Sequence, residues 1–367
     1  MAKPSEDQGT LVLPSQLRRA RGLLKLTPEE VAEGLHVGVR DVARWETGEL
    51  EPSLRQLEDL AELYGREVDY FLGETPEPPE NIRFRTAPDQ ALTHLPKQAR
   101  VVLARFEELC RCAYELEGLL GRGTTCNVPR LSSSISPESA AAEVRDLLGV
   151  GHKPVPKLRD VLEEAGARIF ELPVPNNEFS GFSFWHPDYG PCTLVNASEQ
   201  RGRRNFTLAH ELAHLVYRHA SSVCSIPQSL GGPSPLIEQK ANTFAVELLL
   251  PAGALRADFS RRGYSGEPSG DELRPLRYKW GVSLQALGYR LERLGLVRKG
   301  HTDRLVEAEV PFFRGPKTPS WERRLGKRFV NTCLEAYREN LVSIGKLAHS
   351  LDIPIRKAAE EVERRAT

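Results

Sequence analysis

In TLAHELAHLVYRH (207–219), His210 and His214 bracket Glu211 at a spacing of four. On a helix that spacing puts both imidazoles on one face, within reach of a single ion. Leu208, Leu212 and Leu215 form a stripe roughly opposite, which anchors such a helix in a core. Glu211 projects beside the histidines, where a carboxylate can hold a metal-bound water and accept its proton. The motif is short enough to arise by chance, and a catalytic zinc also needs a third protein ligand and an open position. IEQKANTFAVELLLP (237–251) supplies a candidate. There Glu238 and Asn242 share one helix face, while Ile237, Ala241, Phe244 and Leu248 make a buried stripe. A carboxylate on a core-facing helix is costly without a partner, and a divalent ion is such a partner.

The chain opens differently. LPSQLRRARGLLKLTPEEVAEGLHVGVRDVARWETGELEPSLRQLEDLAELYGREVDYFLGE parses into five short helices. Thr27 caps a helix that starts at Pro28, with Glu30 at the capping-box position, and that helix runs to about Leu35. A tight turn at His36–Gly38 leads into VRDVARWE, apolar at Val42 and Trp45, with Arg40 and Arg44 turned outward.

This head resembles an Xre-type helix-turn-helix domain through EEVAEGLHVGVRDVARWETGELEPS and LRQLEDLAELY, over residues 13–73. The resemblance implies double-stranded DNA as a partner, with Thr27, Gly38, Val39, Arg40 and Arg44 as the candidate contacts. Two positions depart from the family pattern: Pro28 stands where Gln is usual, and His36 where glycine is common. Residues 1–75 hold nine Lys/Arg against fifteen Asp/Glu, a net −6 that opposes binding to phosphates. Arg18, Arg19, Arg21 and Lys25 on the first helix are the groups that would restore a positive face. Recognition of a protein by the same surface is the other reading.

NFTLAHELAHLVYRH followed by IEQKANTFAVELLLP resembles the ImmA/IrrE family of metallopeptidases, as do the preceding FSGFSFWHPDYGPCTLVNASEQRGRRNF and the later KWGVSLQALGYRLERLGLV. The resemblance covers residues 137–300. It implies zinc (with Mn²⁺ as an alternative ion) held by His210, His214 and Glu238, Glu211 as general base, and Asn242 supporting the ligands. Zinc would polarise a peptide carbonyl and lower the pKa of its water, while Glu211 carries the proton to the leaving amine. His219, near the helix end, has two readings, a group that helps hold an oxyanion and a surface histidine favoured by the helix C-terminal dipole, and the second is preferred. Family members cut helix-turn-helix repressors in stress and mobile-element responses. The implied function is therefore a DNA-associated regulatory zinc metallopeptidase with such a repressor as substrate. The rival is a non-hydrolytic Xre-family transcription regulator, or an antitoxin, using a zincin-like domain as a sensor.

At 367 residues the chain has room for two or three domains. Its fold class is mainly α with an α+β part: an all-α helix-turn-helix head (11–75), a linker with a long helix (76–136), a zincin-like α+β peptidase domain (137–260) and a helical C-terminal region (261–367). GETPEPPEN (73–81) and SIPQSLGGPSPL (225–236) read as a linker and a loop. In the long helix, Val102, Phe106, Leu109, Ala113 and Leu116 make one apolar face. Packing on its own domain is preferred for that face over a dimerisation or lever role, leaving a homodimer open. No apolar run is long enough to cross a membrane and no signal peptide is visible, so the expected location is the cytoplasm. The six cysteines show no zinc-site spacing, and Cys110-x-Cys112 reads as reduced thiols. Near the end, VSLQALGYRLERLG reads as two helical segments around a turn, with Val282, Leu284, Leu287 and Leu291 buried against the peptidase domain. The basic cluster Arg323, Arg324, Lys327 and Arg328 reads as a solvated helix face in preference to a site for nucleic acid or an acidic partner.

Overall fold

A computed structural model describes residues 12–24, 26–64, 66, 68–72, 95–123, 126–219, 222–223, 234–264, 266–308 and 319–365. The stretch 73–81, most of 225–236, Lys25 and Cys224 lie outside these. The chain divides into two compact units, Met1–Leu109 and Cys110–Thr367.

In the first unit, α1 (Pro14–Leu23), α2 (Pro28–Leu35), α3 (Val39–Thr47) and α4 (Leu54–Tyr64) surround one core, followed by a 3₁₀ turn at Val68–Phe71 rather than a fifth α-helix. Thr27 and Glu30 form the reciprocal capping box, and His36 ends α2 in the left-handed conformation at φ 54°. Histidine tolerates that region better than most side chains, so the turn forms without a glycine. Val42 and Trp45 face inward and join Leu17, Val31, Leu57, Leu60 and Phe71 in the head's core. The next helix, α5 (Lys97–Leu119), crosses the boundary between the units. Its first half is bound to the head: Ala104 lies in the head's core, and Arg100 donates to the Leu24 carbonyl at 2.9 Å. Farther along, Phe106, Leu109, Ala113 and Leu116 are buried, and Val102 is partly so.

In the second unit, α6 (Pro137–Leu147) and α7 (Leu158–Glu164) precede β1 (Arg168–Leu172), β2 (Gly181–His186) and β3 (Gly190–Asn196). After α8 (Arg201–Val216) come the two-residue β4 (Ser222–Val223), α9 (Pro235–Leu249), α10 (Ala252–Ser260), α11 (Gly270–Trp280), α12 (Leu284–Arg293) and α13 (His301–Ala308). The unit closes with α14 (Trp321–Leu325), α15 (Lys327–Arg338), α16 (Ile344–Ser350) and α17 (Ile355–Arg364). The sheet order is β1-β3-β2-β4, with β3 parallel to β1 and antiparallel to β2. Helix α8 packs on β2 and β3, and α9 packs on both α8 and α6. From Thr207 to Val216 every residue of α8 is buried. This helix is the middle layer of the domain rather than an amphipathic cover.

VSLQALGYRLERLG is one helix, α12, without an internal turn. Gly288 sits inside it because a Cβ there would stand 2.6 Å from Thr302 Oγ1. Glycine thus serves close packing of α12 on α13 and does not break the helix. Val282, Leu284, Leu287 and Leu291 enter the same core as Leu208 and Leu212 of α8. Cys110 and Cys112 are buried, and Cys112 Sγ lies 3.4 Å from Ser350 Oγ. No helix among the described residues is long and apolar enough to cross a membrane.

Candidate metal centre and helix-turn-helix surface

The i, i+4 spacing on α8 and the return of α9 bring three donors to one point. His210 Nε2 and His214 Nε2 are 3.0 Å apart. Glu238 reaches both, with Oε2 3.2 Å from His210 Nε2 and Oε1 3.4 Å from His214 Nε2. Donors 2.0–2.1 Å from a tetrahedral zinc stand about 3.3 Å from one another, and each of these separations is of that size, although the two histidines meet different oxygens of Glu238. The protein alone leaves the triad poorly satisfied: Glu238 Oε1 is buried and has no hydrogen bond. Asn242, one turn beyond Glu238, places Oδ1 3.0 Å from His210 Nδ1. An acceptor there keeps the proton on Nδ1 and the lone pair on Nε2, toward the common point. Among the described residues this is the cluster of His, Cys, Asp and Glu side chains close enough to share an ion. The donor set and the orphaned oxygen fit a divalent cation.

Electrostatics bind the carboxylate to the imidazoles. Burial opposes charge on Glu238, but the two histidines outweigh it and hold its pKa down at about 2. Burial likewise opposes a charge on His210, yet Glu238, Glu211 and Asn242 together raise its pKa.

Glu211 is fully buried, at 0% exposure, and points at β2 rather than into solvent. Ser183 Oγ donates to its Oε2 at 2.6 Å, while Oε1 has no hydrogen bond. Gly181 makes room for the other oxygen: a Cβ there would lie 2.7 Å from Glu211 Oε1 and 2.6 Å from Thr207 Cγ2. Gly181 and Ser183 occupy alternate positions of β2 and share the face toward α8. Neither stands out in the sequence; the available signal was a small and a polar residue alternating with phenylalanines in GFSFW.

His219 departs from its sequence reading. It is half-buried, its Nδ1 lies 3.2 Å from His214 Nδ1, and its ring stacks on Tyr217. Burial first, then His214 and Lys240, depress its pKa to about 4, the opposite of a dipole-favoured surface cation.

In the head, Thr27, Gly38, Val39, Arg40 and Arg44 are all exposed. Thr27 is the N-cap of α2 and Gly38 that of α3; Val39 and Arg40 open α3, and Arg44 lies in its last turn. The expected basic face of α1 is largely consumed by the fold. Arg21 pairs with both oxygens of Glu46 at 2.6 and 2.8 Å, and Arg18 donates to the Glu46 carbonyl at 2.8 Å. Lys25 lies outside the described residues.

Residues 162–292 match the family described as the IrrE N-terminal-like domain, a peptidase family, and residues 17–71 match the helix-turn-helix family. Residues 162–292 are an ImmA/IrrE-type domain, and residues 17–71 an Xre-type helix-turn-helix head. No curated protein matches the chain at a significant level. The ImmA/IrrE-type match makes it a member of a metallopeptidase family, and the helix-turn-helix head is of a DNA-binding class. The first match spans β1 to α12 and so contains α8, α9 and β2 entire.

Proposed function

We propose that the chain is a DNA-associated regulatory zinc metallopeptidase that cleaves a helix-turn-helix repressor. The observation carrying this reading is the convergence of His210, His214 and Glu238, with donor atoms 3.0 to 3.4 Å apart, beside a buried Glu211 with one oxygen that has no hydrogen bond. His210 Nε2, His214 Nε2 and a Glu238 oxygen would hold the ion, with Asn242 fixing the tautomer of His210. A zinc ion held there supplies Lewis acidity to carbonyl and water oxygens. Glu211 Oε1 takes the proton from the attacking water and returns it to the leaving amine. Ser183 holds Oε2 still, and Gly181 lets the carboxylate lie against the strand. Fusion to the head raises the local concentration of the peptidase at an operator or beside a like-folded repressor.

The test is a comparison of new protein N-termini in cells producing the wild type or Glu211→Gln, with and without DNA damage. A new terminus inside a helix-turn-helix repressor, present with the wild type alone, is the expected result. Identical termini in both strains would overturn hydrolysis and leave the ligand-sensing, non-hydrolytic regulator.

A further inference from the structure

We propose that the second unit holds a separate binding site for a phosphorylated small molecule, in a cavity of about 560 Å³ formed by α7, β1, the first half of α8 and the pair α14–α15. Seven basic side chains and four carboxylates line it. Part of that charge is internally paired. Arg159 is held by Glu163 at 2.6 Å, Arg204 by Glu171 at 3.1 Å, and Arg365 by Glu322 at 2.5 Å. Lys157, Arg201, Arg323 and Lys327 form no ion pair among the described residues, and all four are exposed at the rim. One carboxylate of the lining, Asp160, is likewise unpaired.

The surplus is positive and it converges on a concavity. Four cations on a convex face would be hydrated separately, whereas in a cleft their fields add over low-dielectric walls. The effect is visible on Arg204 in the floor: burial first lowers its pKa, Glu171 opposes this, and Arg323, Arg201 and Arg159 lower it further. Between the charges the lining is apolar, from Ile169, Val195, Leu208 and Val330, each nearly fully buried. An anionic head at the rim with a sugar or base over this floor uses both features, and the volume suits a small ligand. The sequence cluster 323–328 therefore divides. Arg328 is bound to Glu117 at 2.9 Å and to the Glu163 carbonyl at 2.8 Å, and Arg324 lies 3.6 Å from Asp352, leaving Arg323 and Lys327 for the cavity.

Calorimetric titration of the full-length protein with pyrophosphate and ADP tests the site, and its readout is independent of peptidase activity. Both probes are expected to bind the wild type. The double variant Arg323→Glu/Lys327→Glu is expected to bind them at least about tenfold more weakly, since each removes a charge-assisted contact. Arg356→Glu, a charge reversal at an exposed residue outside the cavity, is expected to bind as the wild type does. Absence of binding at about millimolar probe, or equal binding by wild type and double variant, would overturn the proposal. Displacement of ADP by a short DNA duplex would overturn it too, and assign the face to nucleic acid.

Discussion

On the proposed mechanism, the work of Glu211 depends on two residues that approach from a different element. Ser183 fixes Oε2 and Gly181 admits Oε1, both through the pleat of β2. Removing one hydrogen bond to a charged group costs about 1.5–3 kcal/mol. Ser183→Ala should therefore lower kcat roughly tenfold or more while leaving KM nearly unchanged, a split that steady-state kinetics on the identified substrate resolves. Asn242 acts on the ligand instead. Asn242→Ala should weaken zinc binding by about 10–100-fold, read by competition with a chromophoric chelator. The clustering of His210 with His214 and of Glu238 with Asn242 was legible in the sequence because each pair is spaced by one helical turn. Ser183 and Gly181 were not, because their relation to Glu211 is set by strand register across 28 residues or more.

Helix α10 shows how a buried charge can pin one element to the next. Asp258 accepts from Trp280 Nε1 at 3.0 Å and from Lys279 Nζ at 2.7 Å, tying α10 to the end of α11, and also from Arg261 at 2.8 Å. Burial opposes its ionisation, but these donors outweigh that and hold its pKa below the ordinary 3.8. A depressed folded-state pKa means stability that is present above the unfolded value and lost as pH falls through the folded one. Asp258→Asn should therefore destabilise the protein by about 1 kcal/mol near neutrality. The gap from wild type should narrow as pH drops below about 4, in denaturant melts at several pH values. Most elements were readable from periodicity and caps, as with Thr27 and Glu30 at α2. Two readings failed for lack of three-dimensional partners. VSLQALGYRLERLG suggested a turn until Thr302 supplied a packing reason for its Gly288, and the α1 arginines suggested a positive face until Glu46, 25 residues from Arg21, claimed Arg21 and Arg18.

The whole molecule combines a head with its own core and a larger unit in which the donors sit on two helices, α8 and α9. An ion bound to the folded state stabilises what it bridges. Chelation should thus lower hydrogen-exchange protection across α8 and α9 while leaving α2 to α4 unchanged, and equal loss in both units would count against a local bridge. The architecture, a helix-turn-helix head before an α+β domain, was legible from patterning; the charged cavity was not, because its walls are separated by more than 100 residues of chain. The proposed function requires that His210, His214 and Glu238 form one metal site. Measuring zinc stoichiometry and affinity for wild type, Glu211→Gln and Glu238→Gln tests it most directly. One tightly bound ion is expected in the first two, and at least about a hundredfold loss of affinity in Glu238→Gln. Unchanged affinity in Glu238→Gln, or no stoichiometric zinc in the wild type, would contradict it.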